Sequence, residues 1–363
     1  MTTETKQQPR VTWLTKEKRP IVIAGPCSAE TEEQVIQTAL RLKKTNKADI
    51  LRAGIWKPRT RPNSFEGVGT KGLPWLQKAK ELTGMPITVE VAKAKHVEVC
   101  LEFGIDILWI GARTTVNPFA VQEIADALKG VDIPVLVKNP INPDLALWLG
   151  GVERLEKAGI KELGAIHRGF SYSGEKFYRN RPQWQLPIEF MNRRPEIPMI
   201  GDPSHICGRR DILQDVGQKA MDLDFDGLMI EVHIDPDNAW SDAKQQITPE
   251  VFGAMVTEMV LREDRENELP IQTELDHLRQ EIKNIDDEVI EMLANRMKFA
   301  QEIGQYKKDK NITIYQSKQW TEKLERYSKF AQTHGLSENF IKQYLESVHL
   351  ESINQQEQVF KKG

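Results

Sequence analysis

A chain of 363 residues is long enough for two cores of ordinary domain size, and 39 % hydrophobic with 28 % charged residues is a globular balance. A formal net charge of -3 argues against the general basic field of a nucleic-acid binder. No run of about 18 apolar residues is present to span a membrane, and MTTETKQQPR has no apolar leader core, so a cytoplasmic enzyme is expected. Cys27, Cys100 and Cys207 form no CxxC pair and read as reduced thiols.

From Pro20 to about Thr248 one theme repeats: a short run rich in Val and Ile, then a longer stretch with helical spacing. The expected strands are IVIAG (from Ile21), ILRAG (Ile50), ITVE (Ile87), ILWIG (Ile107), VLVK (Val135), LGAIHRG (Leu163), IPMIGD (Ile197) and GLMIEVH (Gly227). Most gaps can hold a crossover helix and none has the tight turn of a hairpin. The last helix is expected as EVFGAMVTEMVLR, from Glu250. Eight βα units predict an α/β fold, a closed (β/α)8 TIM barrel over 1–262, with a doubly wound open sheet as the competing fold. The barrel is preferred because nearly every strand ends in a residue suited to a site, and barrel sites gather at that face.

After Arg262 the charged run EDRENELP, 263–270, reads as a linker ending at Pro270. The segment 271–363 is purely helical in pattern. Leu275, Leu278, Ile282, Ile285, Val289, Leu293, Ala300 and Ile303 follow a three-four spacing that KKDKN, from Lys307, breaks. Two shorter helices are expected near 316–333 and 337–356. Three helices with so little core of their own imply a second copy of the chain.

Four of the residues at or just beyond strand ends are potential metal ligands: Cys27, His205, Glu231 and Asp242. A thiolate, an imidazole and two carboxylates suit a divalent transition ion better than calcium or magnesium. Alone, each is ambiguous, since an isolated cysteine is also a small buried hydrophobe; shared placement at one barrel end strengthens the set. Glu231 and His233 point the same way if the strand extends that far. Arg52, Lys57, Arg59, Arg61, Arg113, Lys138 and Arg168 gather at the same face. Such a collection implies a small, strongly anionic substrate, Arg capturing oxyanions bidentately and Lys acting as a point charge.

AGPCSAE (24–30), RAGIWKPRT (52–60), IGAR (110–113), HRG (167–169), DPSH (202–205) and EVH (231–233) resemble the microbial 3-deoxy-D-arabino-heptulosonate 7-phosphate (DAHP) synthases of the first class. The short barrel is similar to the subgroup that includes eight-carbon sugar-acid synthases. The resemblance implies that Cys27, His205, Glu231 and Asp242 ligate a divalent ion, Mn2+ first with Fe2+, Co2+ or Zn2+ as alternatives. It implies that Lys57, Arg113, Lys138 and Arg168, with Arg52, hold phosphoenolpyruvate. Pro58, Arg59 and Thr60 complete the KPRT motif that receives the aldose phosphate. KPRT with Cys27 favours erythrose 4-phosphate over arabinose 5-phosphate, whose synthases typically carry KANR. The implied chemistry is attack of C3 of phosphoenolpyruvate on a Lewis-acid-activated aldehyde, addition of water at C2, and loss of phosphate. Lys57 and His205 are placed among the catalytic residues; the general acid stays unassigned between His205 and a metal-bound water. One departure is LVKNP, where relatives have LLKRG: Asn139 and Pro140 replace Arg-Gly.

In the helical part, Arg296 and Lys307 are eleven residues apart and differ by about 20° around a helix, whereas Arg279 faces elsewhere, toward a partner chain. LRQEIKNIDDEVIEMLANRMKFAQEIGQYK resembles the first helix of the all-helical chorismate mutases, whose sites are shared between two intertwined protomers. The resemblance implies catalytic roles for Arg279, Arg296, Lys307, Ser352 and Gln356 around chorismate, with Lys307 and Gln356 stabilising charge on the ether oxygen. Gln316, Gln319 and Trp320 stand where many relatives have Asp and an Arg-Glu pair. The expectation is therefore a bifunctional synthase and mutase, dimeric through the helical part, with prephenate as a candidate effector and no nucleic-acid or membrane partner. The alternatives are a helical part that only dimerises and senses prephenate, or a related octulosonate synthase.

Overall fold

The structure is a computed structural model describing residues 20–57, 65–262, 269–315 and 317–361; within its helices the side chains of 269–271, 274, 317–322, 328 and 332 are left aside. Contacts divide the chain into two compact units, Met1–Arg262 and Glu263–Gly363.

In the first unit, strands β1 (Ile21–Gly25), β2 (Ile50–Arg52), β3 (Ile87–Val91), β4 (Ile107–Ile110), β5 (Val135–Lys138), β6 (Leu163–His167), β7 (Met199–Gly201) and β8 (Gly227–Glu231) pair in parallel in chain order. β8 returns to β1, with Ile21 opposite Gly227 and Gly25 opposite Glu231, and the sheet closes into a barrel. The open-sheet alternative is thereby excluded. Outside the strands run α1 (Glu32–Thr45), α2 (Gly72–Thr83), α3 (Ala94–Glu102), the short turn α4 (Ala112–Thr115), α5 (Pro118–Ala127), α6 (Leu145–Lys157), α7 (Gln185–Arg193), the short α8 (Pro203–Cys207), α9 (Leu213–Asp222) and α10 (Pro249–Glu258).

Helix starts are written locally. Thr31, Asn117, Asp144, Asp202 and Thr248 cap α1, α5, α6, α8 and α10 by accepting from backbone N–H groups one turn in. Proline follows the cap in α5, α8 and α10, where its missing N–H costs nothing. α10 stops at Glu258, four residues before the predicted end, where Met259 turns extended.

Strand alternation produces two apolar layers. Ile21, Ile23, Ile50, Ile107, Trp109, Leu136, Ile166, Ile200 and Met229 fill the barrel interior. Val22, Leu51, Val89, Leu108, Val137 and Leu228 point outward onto Leu42, Leu76, Trp148 and Phe252. Burying each large side chain contributes about 1.5–3 kcal/mol, and truncating Trp148, fully enclosed, would cost about 3–5 kcal/mol.

The second unit is all helical: α11 (Leu269–Asp309), α12 (Ser317–Thr333) and α13 (Glu338–Lys361). Pro270 sits in the first turn of α11 rather than before it, a position that needs no N–H partner. α13 runs five residues past the predicted end. α11 packs mainly on α13, and Gly304 makes this close: a Cβ there would stand 3.0 Å from the Gln356 Cα. Only Ala300, Ala331, Leu345 and Val348 are buried hydrophobics among the described residues. Leu278, Ile282, Ile285, Val289, Ile290, Phe299 and Ile303 are exposed along α11. No helix among the described residues is long and apolar enough to cross a membrane.

Candidate active sites

At the C-terminal strand ends of the barrel, Cys27, Glu231 and Asp242 offer ligand atoms within 4.8 Å of one another. β1 and β8 are neighbours, so the segments after them place Cys27 beside Glu231. Asp242 arrives on the loop after β8. The Cys27 thiol donates to Asp242 Oδ2 at 3.4 Å and receives Lys57 Nζ at 3.1 Å. His205 stands at the edge of the cluster, its Nε2 3.6 Å from Glu231 Oε1. Its other nitrogen, Nδ1, is 2.8 Å from Asp202 Oδ2, which fixes the proton on Nδ1 and leaves Nε2 as a lone-pair donor.

This donor set fits a divalent transition ion. One thiol and two carboxylates converge, with the His205 imidazole at their edge, and the enclosed Glu231 Oε1 has the Arg52 ion pair at 3.1 Å but no hydrogen bond among the described residues. Burial first, then the charge of Glu231, pushes the Cys27 thiol up to about 12, so it is neutral until a cation replaces its proton. Asp242 is held well below the usual carboxylate range: burial would raise it, but Arg179, Lys57 and His205 outweigh burial. Asp202 is likewise held down, burial being outweighed by His205 and Lys138.

Beside the cluster a narrow cavity is lined by Lys57, Arg113, Lys138, Arg168 and Arg179 together with Glu90. Lys138 Nζ bonds Asp202 Oδ2 at 2.7 Å. Burial lowers Lys138 despite that partner and brings Arg168 down to about 10. Arg52, enclosed, reaches Glu231 Oε1 at 3.1 Å. Trp109 is the floor, with Arg52 5.0 Å and Lys138 5.8 Å from its ring centroid. Gly111 leaves room for the Glu90 carboxylate, which a Cβ there would meet at 2.0 Å. The departure LVKNP has a structural answer. The Asn139 amide donates to the Pro140 and Gly169 carbonyls at 2.8 Å and accepts from the Arg168 N–H at 2.7 Å, stitching β5 to the end of β6.

Pro58, Arg59 and Thr60 lie outside the described residues. His233 does not face the Glu231 cluster: β8 ends at Glu231, and the imidazole turns to Glu30 instead. Sequence reading missed Arg179, 3.2 Å from Asp242, and the orienting role of Asp202. Asp202 three residues before His205 was the available signal, a cap that also reaches the ring.

In the helical unit a cavity of about 360 Å3 is lined by Arg296, Lys307, Ser352 and Gln356, and also by Lys323 and His349, neither singled out in the sequence. Arg296 Nη1 donates to Ser352 Oγ at 2.5 Å, and Lys307 Nζ to the Ile314 carbonyl at 2.5 Å. Gln356 Oε1 accepts nothing among the described residues. No carboxylate lines this cavity among the described residues. His349 is lowered by burial first and then by Lys323, Arg296 and Lys307, which line the same cavity. Arg279 is exposed and is not among the cavity residues. Gln316 lies outside the described residues, and Gln319 and Trp320 are described in backbone only.

The comparisons with known proteins divide the chain in the same manner. Residues 4–266 match the DAHP synthetase I family. The chain belongs to that family. Residues 278–357 match the type II chorismate mutases, so DAHP synthase and chorismate mutase domains are both present. The chain is 33 % identical over 238 residues to a phospho-2-dehydro-3-deoxyheptonate aldolase of Thermotoga maritima, covering 66 % of this chain and 68 % of that protein. The crystal structure of the Thermotoga maritima DAHP synthase aligns with a TM-score of 0.60 at 31 % identity, over 66 % of this chain and 68 % of that one. A 2-dehydro-3-deoxyphosphooctonate aldolase of Caulobacter vibrioides is 26 % identical over 260 residues, covering 66 % of this chain and 86 % of that protein. The DAHP synthase family is metal-dependent in general.

Proposed function

We propose that this DAHP synthase family member joins phosphoenolpyruvate to erythrose 4-phosphate in the barrel, residues 1–262, and rearranges chorismate to prephenate in the helices, residues 271–363. The observation that carries the first activity is the Cys27, Glu231 and Asp242 cluster opening onto the cations Lys57, Arg113, Lys138 and Arg168. These cations hold the phosphate and carboxylate of phosphoenolpyruvate, with Arg52 beneath them and Trp109 excluding water from below. C3 attacks the aldehyde carbon, water adds at C2, and the resulting hemiketal phosphate releases inorganic phosphate. A divalent ion held at this cluster would supply Lewis acidity to the aldehyde. The mixed sulfur, nitrogen and oxygen donors suit a divalent transition ion; Mn2+ is the first candidate by the family resemblance, with Fe2+, Co2+ and Zn2+ as alternatives. Cys27, His205, Glu231 and Asp242 are its ligands, Asp202 holds the His205 tautomer, and Pro58, Arg59 and Thr60 receive the aldose phosphate.

For the second activity, Arg296, Lys307 and Lys323 form a trio of cations without a lining carboxylate among the described residues, matched to a dicarboxylate. Ser352 and Gln356 complete the pocket, and Arg279 serves the partner's pocket in a homodimer joined through the exposed apolar face of α11. The reading of the helices as a dimerising sensor of prephenate is the second possibility. An assay of purified protein with erythrose 4-phosphate and arabinose 5-phosphate side by side, and with chorismate, decides among these. Turnover preferring arabinose 5-phosphate would contradict the first assignment; no prephenate formation beside a working synthase would leave only the sensor, and unchanged synthase kinetics with added prephenate would remove that as well.

A further inference from the structure

Asp242 has φ 49° and ψ 34°, a left-handed conformation uncommon outside glycine, although Asp adopts it more readily than most, and here it is held by contacts on both sides. These contacts join the segment after β1 to the loop after β8. On one side, Glu30 Oε1 accepts from the Trp240 N–H at 2.7 Å, two residues before Asp242. Glu30 Oε2 lies 3.3 Å from His233 Nε2. His233 Nδ1 accepts from the Asp235 N–H at 2.9 Å, so the ring carries its proton on Nε2 and donates it to Glu30. Both side chains are buried. On the other side, Gln246 accepts from the Cys27 N–H at 2.9 Å and donates to the Ser241 carbonyl at 2.8 Å, while Ser28 and Ser241 share a hydroxyl bond of 2.6 Å.

Three of these ties, Glu30–Trp240, Cys27–Gln246 and Ser28–Ser241, link a residue within three positions of Cys27 to one within four of Asp242. Neither Glu30 nor His233 belongs to the Cys27, Glu231 and Asp242 group, and the two side chains are paired with each other instead. Gln246 and the two serines hold the chain close to Cys27; Glu30 and His233 brace the opposite end of the same loop.

We infer that Glu30 and His233 are positioning residues: as a buried pair they hold Asp242 in its left-handed conformation opposite Cys27, and so set the affinity of the cation site. This rests on the proposed metal site. Orienting partners of ligands commonly govern metal affinity by about 10- to 100-fold.

The test is Co2+ affinity of the full chain, measured by competition with a chromophoric chelator, for the wild type, Glu30→Gln, His233→Gln, Asp242→Asn and the Glu30→Gln/Asp242→Asn double variant. Glu30→Gln and His233→Gln are expected to weaken Co2+ by about tenfold or more, with thiolate-to-cobalt absorption retained because Cys27 still binds. Glu30→Gln is expected to add little once Asp242→Asn is present, because it acts through Asp242. An equal effect of Glu30→Gln in both backgrounds, or a lowered melting temperature with unchanged Co2+ affinity, overturns the inference. If Asp242→Asn also binds Co2+ as the wild type does, the metal site itself is wrong; if it weakens binding and Glu30→Gln does not, only the positioning role falls.

Discussion

The two units handle apolar surface in opposite ways. The barrel encloses its own: Ile23, Trp109, Leu136 and Met229 are fully buried inside the strands, and the site above them is assembled within one chain. α11 instead leaves Leu278, Ile282, Ile285 and Ile303 exposed over several turns, and Arg279 stands outside the cavity that Arg296 and Lys307 share. A closed parallel sheet supplies eight converging strand ends, whereas three helices offer the cleft between them and an exposed apolar face. Damage to one site is therefore expected to leave the other working.

The largest effect is expected from Cys27→Ser. Loss of the thiolate should lower synthase turnover by about 100-fold or more, as removal of a principal electrostatic group does, while chorismate turnover is unchanged; parallel assays on one preparation measure both. Arg296→Ala should do the reverse, lowering mutase kcat/KM by about 100-fold with synthase kinetics intact. A fall in both activities would mean that the units fail together. Lys323→Met sharpens the picture of the helical pocket: KM for chorismate should rise about tenfold with little change in kcat, from loss of one charge-assisted contact, and Lys323→Arg should restore it. An unchanged KM would make Lys323 a bystander.

The smallest effect concerns the barrel wall. His167 sits among Trp148, Phe170, Trp184 and Phe225, and burial first, then Arg168, lowers its pKa from 6.5 to about 3. Below pH 6.5 the unfolded chain takes up a proton that the folded chain refuses, so stability falls with pH. Between pH 6.5 and 5 this amounts to about 2 kcal/mol. Urea unfolding of the barrel transition should show that loss in the wild type and a smaller one in His167→Leu.

The barrel was legible in the sequence because apolar runs act over a few positions: IVIAG and VLVK became β1 and β5. GLMIEVH stopped two residues early because Val232 leaves the β8 ladder for a bridge to Ile247, which redirects His233. Arg179, the Glu30–His233 pair and the role of Asn139 were not legible, since each acts across loops distant in sequence. Lys323 was missed because it lies on a helix whose expected cation, one turn earlier, is Gln319. Cys27 and Asp242, 215 positions apart, were brought together in the reading by resemblance and shared strand-end placement, not by any local pattern.

The most direct test of two independent sites on one chain is to follow both reactions in a single purified sample before and after a strong chelator. Consumption of phosphoenolpyruvate with erythrose 4-phosphate is expected to stop and to return with Mn2+, while chorismate continues to become prephenate throughout. Synthase turnover that survives complete metal removal, or mutase turnover that disappears with it, would refute two independent sites of which only the barrel's needs a metal.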